Sequence, residues 1–578
     1  MDPTLYTDPN LVIRLGRELQ KRVGLLPLVE VHAFHLEGQP GEIVRMLRVQ
    51  PQSYSEIARV VRAARTMKLI VRACGERTGG DTGIYGTSST VLIDCGLLAD
   101  SPRIEFVNIK RKGEDEETQG LRVLACVGIG ELVQFQVSHN IEIAQSVETT
   151  SVWGTVIGAI TSSAPGIVGP AGGAHGGCLS DEVIGIRVVD CHGDLIQYSS
   201  DEELSSALST MGLLGVVYDV TLRYRPISLT KVNFKFLKWS ELLDLNNGIL
   251  KASIANDSFT EIIYLPYNSC MLDEEQEVSE IEGWKAEQDE IIFRTGQKVV
   301  ESVQKSETEN MVVFDSSPRQ LIYLIDQVFG PEPKEFVNKV MKTPWLLGRA
   351  HHHLRCRFQP EPTNIQFTPW AINSLGKMVE PLRILRFTIE LDQTFSEFPK
   401  ILGVVFKLLE DLAHGGERYR KNYALNLGMR IHFTGNTKTG RLLGVGFDPT
   451  GEKANSTNSV LAHITFAGIT TPGPSTLWTR AANHVTNVLL RSIPRCMPQW
   501  KTEWHGIENM KAKFQEALKA QAEPLKKLVA IADRDGVFLN ELLASILFSE
   551  PSFYQKLYMS QRRDAVSWIT QDQPCSGY

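Results

Sequence analysis

Hydrophobic and polar residues between Pro51 and Pro226 follow patterns that switch repeatedly between helix and strand. From Ile57, apolar residues recur at i, i+3, i+4 and i+7, which predicts an amphipathic helix, and Ser53 with Glu56 has the spacing of a capping box at its start. Short apolar runs at 68–75 and 90–96, each ended by a glycine, predict two strands. The helix therefore leads into a strand, a glycine-rich loop and a second strand.

The alternation continues through the next hundred or so residues. It predicts a strand at 121–130, a helix at 131–140, a hairpin at 182–199 that turns at Gly193, and a strand that follows a tight glycine turn at 212–215. Beyond Pro226 the segments are longer and mixed, with an acidic stretch at 273–290, and residues 507–548 have a largely helical pattern. This change of character predicts a second domain.

Length and composition narrow the class of protein. A chain of 578 residues exceeds one hydrophobic core, and 42% hydrophobic with 22% charged residues is typical of a folded globular protein. The net charge of −7 and the lack of a dense Lys/Arg run argue against a nucleic-acid partner. The sequence has no stretch of about 18 apolar residues, so no transmembrane helix is expected. The N-terminal residues lack the uninterrupted apolar core of a signal peptide.

Nine cysteines are scattered along the chain without a CxxC pair. Their odd number and irregular spacing predict reduced thiols and an intracellular location, which we expect to be the cytoplasm, with peripheral membrane association left open. The segment at 351–353 is expected to be a partly exposed strand, on which His351 and His353 share one face, but the sequence supplies no obvious third ligand, so no metal site is expected.

Two glycine-rich segments, 75–86 and 154–177, each follow extended sequence. Glycine permits positive φ and close approach of the backbone to an anion, so the pair suits a ligand with a long phosphate group, although ordinary turns would account for either segment alone. The competing dinucleotide motif at Gly128-x-Gly130 lacks the third glycine of GxGxxG. A Rossmann fold is therefore disfavoured.

Five landmarks stand out in order along the first part of the chain: Pro51–Ser55, Val71–Gly75, Thr155–Ile160, Leu179–Val183 with Val188–Gly193, and Gly212–Gly215 with Thr221. In this order they resemble the PCMH-type FAD-binding domain of the vanillyl-alcohol-oxidase superfamily, and the L-gulonolactone and D-arabinono-1,4-lactone oxidases in particular. The resemblance implies an α+β fold: a two-subdomain FAD-binding domain followed by an α+β substrate domain with a helical C-terminal region. The expected boundaries are an N-terminal extension at 1–45, the FAD-binding domain at 46–228, the substrate domain at 229–485 and the C-terminal region at 486–578.

The same resemblance implies how FAD is held. The first glycine segment would wrap the pyrophosphate, the second would follow the ribityl chain and isoalloxazine, and a later strand would hold the adenine side. The cofactor-binding residues implied in this way are Cys74, Gly75, Glu76, Arg77, Thr78, Gly79, Thr155, Gly158, Ala159, Ser162, Pro165, Gly166, His175, Val183, Gly215 and Val216.

Two positions depart from the family pattern. Thr78 stands where many aldonolactone oxidases carry the histidine that bonds to the flavin, so noncovalent FAD is expected. Pro165 replaces the histidine of the usual His-Gly pair, whereas His175-Gly176 fits a second, less constant His-Gly further along the segment.

On the substrate side, Asp535–Leu542 is similar to the phrase that ends the family, and Pro498–Lys501 lies where the family has Pro-His-Trp followed shortly by Lys. Only the proline and the tryptophan match in place: Gln499 replaces the histidine, a third departure from the family pattern, and Lys501 is one position early. Carbinol oxidation needs a polar group for the hydroxyl and a cation for developing charge. By resemblance we assign these roles to Glu390 and Arg430, with Trp500 and Lys501 nearby. An exposed ion pair, core packing of Trp500 and a merely exposed Lys501 are the alternative interpretations.

The resulting hypothesis is an FAD-dependent enzyme that oxidises a secondary alcohol of a sugar lactone or related polyol by hydride transfer to flavin. Its partners would be a small-molecule substrate and an electron acceptor, either oxygen or another oxidant. The alternatives are a flavin oxidase of an alditol or a sterol, and a flavoprotein-derived binding protein without chemistry.

Overall fold

The structure is a computed structural model of the 578-residue chain. It describes residues 9–34, 42–75, 86, 89–100, 102–147, 154–162, 164–208, 210, 212–244, 248–270, 283–299, 335, 338–340, 344, 346–357, 363–372, 382–392, 394–414, 423–435, 460–469, 476–499, 527, 529–540 and 543–544. We number the helices and strands within these residues in chain order.

The helices are α1 (Pro9–Val23), α2 (Tyr54–Thr66), α3 (Ile129–Ser138), α4 (Val156–Thr161), α5 (Asp201–Ala207), α6 (Trp239–Leu243), α7 (Ile249–Asn256), α8 (Leu346–Arg357), α9 (Thr368–Ile372), α10 (Phe398–His414) and α11 (Thr476–Ser492). Short 3₁₀ turns lie at Cys95–Leu97, Pro170–Gly172, Leu179–Glu182, Asn268–Cys270 and Ala286–Gln288.

The strands are β1 (Leu28–Phe34), β2 (Glu42–Val49), β3 (Ile70–Cys74), β4 (Thr90–Asp94), β5 (Ile104–Lys110), β6 (Glu117–Leu124), β7 (Ile141–Glu142), β8 (Val183–Val189), β9 (Leu195–Tyr198), β10 (Val216–Leu222), β11 (Arg225–Pro226), β12 (Leu229–Lys238), β13 (Phe259–Tyr264), β14 (Glu290–Val299), β15 (Thr363–Phe367), β16 (Leu382–Leu391), β17 (Met429–Gly435), β18 (Val460–Ile469) and β19 (Cys496–Pro498).

The first sheet has the order β1-β2-β4-β3, in which β2, β4 and β3 are parallel and β1 is antiparallel to β2. Helix α2 connects β2 to β3, and its apolar stripe is buried as the spacing predicts. Ser53 caps this helix by accepting from the Glu56 backbone N–H at 3.2 Å, but the Glu56 carboxylate accepts from Gln52, one residue before the cap. The capping box is thus half formed.

The second sheet is antiparallel, with the order β5-β6-β10-β8-β9. The predicted hairpin joins β8 to β9 and turns at Gly193, whose φ is +77°. Gly215, with φ +141°, precedes β10, and a Cβ there would lie 2.2 Å from the carbonyl oxygen of Val189. Only glycine allows β10 to start this close to β8.

The third sheet has eight strands in the order β15-β12-β14-β13-β17-β18-β16-β19, all of them from residue 229 onwards. One face is apolar and is covered by α10, where Phe398 meets Phe433 of β17 with ring centroids 5.6 Å apart. The opposite face faces the second glycine-rich segment. A further two-stranded sheet pairs β7 with β11. The described residues therefore form an α+β fold with sheets of four, five and two strands and one large sheet of eight.

Residues near the C-terminus return to the first sheet. The Val71 N–H of β3 donates to the Val537 carbonyl at 2.7 Å, and the Arg72 guanidinium donates to the Phe538 carbonyl at 2.7 Å. Asp533, fully buried, accepts from the backbone N–H groups of Val537 and Phe538. The segment that resembles the family's final phrase is thus anchored on the edge of β3.

The His351–His353 segment corrects the sequence-based interpretation. It lies in α8, not in a strand, so residues 351 and 353 do not share a face. His351 is buried with Nε2 3.6 Å from the Glu290 carboxylate. Within the described residues, no group of three His, Cys, Asp or Glu side chains has the arrangement of a metal site.

Two further features concern the described residues only. No helix among them is long and apolar enough to cross a membrane. Seven cysteines, from Cys74 to Cys496, are described with their side chains, and none of these seven forms a disulfide bond.

Candidate functional site

The two glycine-rich segments meet where β3 ends and α4 begins. A Cβ placed on Gly75 would lie 2.8 Å from the Thr155 hydroxyl oxygen, so the Gly75 backbone packs against the Thr155 side chain at a distance that only glycine permits. Thr155 caps α4 by accepting from the Gly158 N–H at 3.1 Å. Ala159 lies within α4, and Ser162 ends it with a hydroxyl that donates to the Gly158 carbonyl at 2.6 Å.

The second segment is a folded loop with its own supports. The Gly166 N–H donates to the Gly177 carbonyl at 2.6 Å, and Pro165 bridges to Cys178, so the two ends of the loop run side by side. His175 is half-exposed, and its ring lies 2.7 Å from the fully buried Glu182 carboxylate. Backbone and buried charge therefore define the shape of this loop.

The second segment rests on the large sheet. The Gly169 N–H donates to the Ser258 carbonyl at 2.8 Å, and a Cβ on Gly177 would lie 2.5 Å from the Gly435 carbonyl oxygen. Apolar residues of the loop pack on the β12–β14–β13 part of the sheet: Ile167 and Val168 join a buried cluster with Val232, Phe234, Phe259, Leu265, Ile292 and Ala371. The loop thus covers the face opposite α10.

A row of buried polar residues crosses this same face. Register pairs Arg294 with Glu261, Glu261 with His432, His432 with His463, and His463 with Thr388. Directly paired residues of neighbouring strands point to one side of a sheet, so the five side chains form a continuous line. Each is at most 2% exposed.

Charge in this row is balanced around Glu261. One carboxylate oxygen accepts from Arg294 at 2.9 Å, and the other accepts from Arg430 Nε at 2.8 Å. Arg430 lies two residues before His432 on β17, and its side chain is 15% exposed. The carboxylate therefore holds two guanidinium groups in place, and Arg430 is the more accessible of them.

The two histidines lie in the middle of the row. His463 Nδ1 is 2.9 Å from the Thr388 hydroxyl and Nε2 is 2.8 Å from the Thr434 hydroxyl, which fixes the ring on both sides. The His432 ring stacks on it with centroids 4.8 Å apart. Burial, reinforced by the nearby positive charge of Arg386, lowers the pKa of His432 to about 3, so this ring is neutral at physiological pH.

The structure separates the two residues assigned to substrate chemistry. Arg430 is bound to Glu261, while the Glu390 carboxylate, 13% exposed, lies 3.6 Å from Arg495. Both still belong to the polar face, because Glu390 follows Thr388 by two residues on β16. Gln499 donates to the Thr388 hydroxyl at 2.8 Å, and Trp500 and Lys501, which follow it, lie outside the described residues.

The residues implied for FAD are brought together in part. Cys74 ends β3, and Gly75 after it meets the Thr155 side chain. The second loop contains Pro165, Gly166 and His175. Val183 and Val216 begin the paired strands β8 and β10, and Gly215 directly precedes β10. Glu76, Arg77, Thr78 and Gly79 lie outside the described residues.

Four residues of the buried polar row were not predicted from the sequence as site residues: Glu261, His432, His463 and Thr388. A signal was present, since polar residues alternate with apolar ones in Arg430–Thr434, in His463–Thr465 and in Arg386–Glu390. Alternation is equally typical of a solvated strand face, so the pattern alone does not indicate a buried site.

Comparisons with known proteins show the fold. No protein-family model matches the chain, and no curated protein sequence matches it either. Solved structures do match over 90% of this chain. One is a solvent-stable cholesterol oxidase, with a TM-score of 0.64 and 13% sequence identity, of which 98% of the chain is covered. Another is the cholesterol oxidase of Brevibacterium sterolicum, with a TM-score of 0.64 and 13% sequence identity, of which 97% of the chain is covered. The fold class expected from the sequence is confirmed by this likeness.

Proposed function

We propose that the protein binds FAD between its two glycine-rich segments and the polar face of the large sheet, and oxidises an alcohol there. The contact between Gly75 and Thr155 carries the proposal, because it joins the two segments into one backbone-lined site that leads to the buried polar row. The superfamily resemblance implies FAD, and the solved structures that match in fold are oxidases by name.

The described residues fit a long phosphate-bearing cofactor. Gly75 and Gly158 both pack against the Thr155 side chain, which leaves no room for a Cβ, so backbone lines the junction of the two segments. Glycine-rich backbone is the kind that can approach a phosphate. Loop residues Pro165, Gly166 and Gly177 then continue toward His432 and Thr434. Residues from the end of β3 through α4 to the second loop would hold the cofactor, without a covalent bond through Thr78.

When bound, FAD supplies the hydride acceptor for oxidation of a carbinol. The chain's own residues handle the proton and the charge. Glu261 is committed to two arginines, so Glu390 is the carboxylate on this face that we assign to the substrate hydroxyl proton. Arg430, fixed by Glu261, is a cation of this face. The strand register places it level with Arg386, four residues before Glu390, so we assign it to negative charge on a different part of the substrate.

The polar character of the face favours a hydroxyl-rich substrate such as a sugar lactone or polyol. Arg386, Thr388, His463 and Thr465 are all buried on the β16–β18 side, where a sterol would need apolar walls. An alditol would suit the same polar groups as a lactone. Oxygen or another oxidant then removes the electrons.

The test is anaerobic mixing of the purified protein with aldonolactones, alditols and sterols while the visible flavin band is followed. Bleaching by a lactone or an alditol supports the proposal, and bleaching by a sterol alone refutes the hydroxyl-rich substrate. Colourless protein that takes up no added FAD refutes the flavoenzyme and favours a binding protein without chemistry. Flavin that stays with acid-precipitated protein refutes noncovalent binding.

Variants test the residue roles in the same experiment. Arg430→Ala and Glu390→Gln should each slow flavin reduction by more than about tenfold, since groups of this kind contribute ~10²-fold or more. Arg122→Ala is the matched control, because Arg122 pairs with Glu105 at 2.8 Å on a sheet strand outside the site. Unchanged single-turnover rates in both site variants would remove them from the chemistry.

A further inference from the structure

Gln145 lies just after β7 and is 1% exposed. Its side-chain oxygen accepts from three backbone N–H groups: Ser146 at 3.0 Å, Ile167 at 3.1 Å and Val168 at 2.9 Å. Its amide nitrogen donates to the carbonyls of Val168 at 3.2 Å and Gly176 at 2.8 Å. One buried side chain thus takes part in five hydrogen bonds with backbone groups.

These bonds join the start of the second glycine-rich loop to its end. Ile167 and Val168 follow Gly166, whereas Gly176 lies directly before the residue that pairs back to Gly166. The backbone bond from the Gly166 N–H to the Gly177 carbonyl also joins the two ends. Two other side chains each act on one part of the loop: Arg225 donates to the carbonyls of Gly172 and Gly173, and Glu182 binds His175. Of these three side chains, Gln145 is the one that reaches both ends.

Gln145 and Gly166 are also coupled in size. A Cβ on Gly166 would lie 2.1 Å from the Gln145 side-chain carbonyl carbon, and 2.3 Å from its oxygen. The side chain therefore occupies the space that any other residue at 166 would need. A glycine at 166 is required by this neighbour, independently of any ligand.

The far side of the loop faces the polar row. Gly177 touches the Gly435 backbone at the end of β17, and Gly166 lies beside the buried His432. A shift of the loop at Gln145 would change its separation from the large sheet at both points. The five hydrogen bonds to Gln145 on one side and the large sheet on the other together fix the position of the loop backbone.

From these contacts we propose that Gln145 is a positioning residue that fixes the second glycine-rich loop at the distance from the large sheet that the flavin needs. This inference rests on the proposed FAD site. Gln145 itself has no role in the chemistry. Only a side chain with a carbonyl and an amide nitrogen satisfies both sets of backbone groups, since a carboxylate has no donor and a leucine has neither.

The first test compares Gln145→Glu and Gln145→Leu with the matched variants Gln136→Glu and Gln136→Leu. Gln136 is 4% exposed, accepts from the Ile143 N–H at 2.7 Å and donates to the Leu132 carbonyl at 3.4 Å, and both of these partners lie outside the loop. The readouts are the FAD dissociation constant from flavin fluorescence and hydrogen exchange of peptides covering 164–178. Both Gln145 variants should weaken FAD binding at least about tenfold and speed exchange in the loop, because each leaves buried backbone groups unpaired.

Gln136 variants should leave loop exchange unchanged and FAD binding within about twofold. Equal effects at both positions would show a general loss of packing and overturn the inference. So would unchanged FAD affinity in Gln145→Glu. If the wild type takes up no FAD, the proposed function fails with it, whereas wild-type binding combined with an unaffected Gln145 variant refutes the positioning role alone.

A double-mutant cycle tests the size coupling without relying on any single variant. In the wild-type background, Gly166→Ala should slow refolding or strongly lower the FAD affinity. In the Gln145→Ala background, where the clash is removed, the same substitution should have a much smaller effect. Additive effects of the two substitutions would contradict the direct contact on which the proposal depends.

Discussion

Gly75 and Thr155, 80 positions apart in the sequence, lie in direct contact, with only 2.8 Å between the Thr155 hydroxyl oxygen and the place a Gly75 Cβ would occupy. Thr155 is held there because its hydroxyl also caps α4. The first glycine segment is thereby tied to the second where β3 ends and α4 begins.

Gly75→Ala should therefore weaken FAD binding and lower the thermal midpoint, because a β-branched side chain that caps a helix cannot rotate away without loss of its cap, worth ~1 kcal/mol. Gly403→Ala in α10 is the control, since a Cβ there meets nothing within 4 Å. It should stabilise the protein by about 0.5–1 kcal/mol. Differential scanning fluorimetry with and without FAD measures both, and a Gly75→Ala variant as stable and as FAD-competent as wild type would contradict the contact.

Glu261→Gln should be strongly destabilising. The carboxylate is 1% exposed and binds both Arg294 and Arg430, so its neutralisation leaves two buried guanidinium groups without this counter-charge. Breaking a buried pair in this way costs about 3–5 kcal/mol. Urea denaturation should show the loss, whereas Glu131→Gln, at an exposed pair with Arg103, should cost under about 1 kcal/mol. Similar losses in the two variants would argue against a buried charge cluster.

Stability should fall as pH rises from about 4 to 7 because of Asp533. Burial raises the pKa of this carboxyl to about 7 from its ordinary value of 3.8, so the folded state binds the proton more tightly than the unfolded state. Its contribution is complete below the unfolded pKa and is lost as pH rises through the folded one. Thermal midpoints of the wild type should therefore decline across this window relative to Asp533→Asn.

The comparison with Asp533→Asn uses the slope of the thermal midpoint against pH. A loss of stability from one weakened backbone hydrogen bond that is the same at every pH does not change this slope. Asp194→Asn, at a 65%-exposed side chain, is the matched control and should follow the wild-type slope. Hydrogen exchange of 529–544 should show the same trend at the edge of β3. Parallel pH profiles for wild type and Asp533→Asn would refute the assignment.

Thr434→Val should disturb the polar face of the large sheet without changing the volume of the side chain at this position. The hydroxyl lies 2.8 Å from His463 Nε2, and valine keeps the volume but leaves a buried ring nitrogen without this partner, at a cost of about 1–3 kcal/mol. Flavin reduction should slow because the ring loses its fixed orientation. Thr66→Val, at an exposed hydroxyl that donates to the Arg62 carbonyl, is the control, and equal rates in the two variants would exclude His463 from the site.

The local elements were predictable from residue spacing. Ser53 caps α2, Gly193 turns the β8–β9 hairpin, and the strand before Gly75 is formed, because each depends on neighbours within a few positions. The histidines of 351–353 were assigned to a strand wrongly, since a short segment with few apolar residues has no clear period.

The partners across the large sheet were not predictable. Arg430 was expected to act with Glu390, but β17 lies beside β13, which brings Glu261 to Arg430 from 169 positions away. Spacing along one chain says nothing about which strands become neighbours. Gln145 was missed for a related reason: a single glutamine before a loop has no signature until the loop folds over it.

By itself, the sequence determined several of the helices and strands between residues 51 and 226, the two glycine-rich segments, and the alternation of polar with apolar residues in β16, β17 and β18. These are consequences of local sterics and of period. Tertiary structure alone decided that the polar half of that alternation faces Gly166 and Gly177 and is buried, because only the stacking of the glycine loop on one face and α10 on the other removes both faces from water. A strand pattern that would suit solvent thereby becomes the lining of a site.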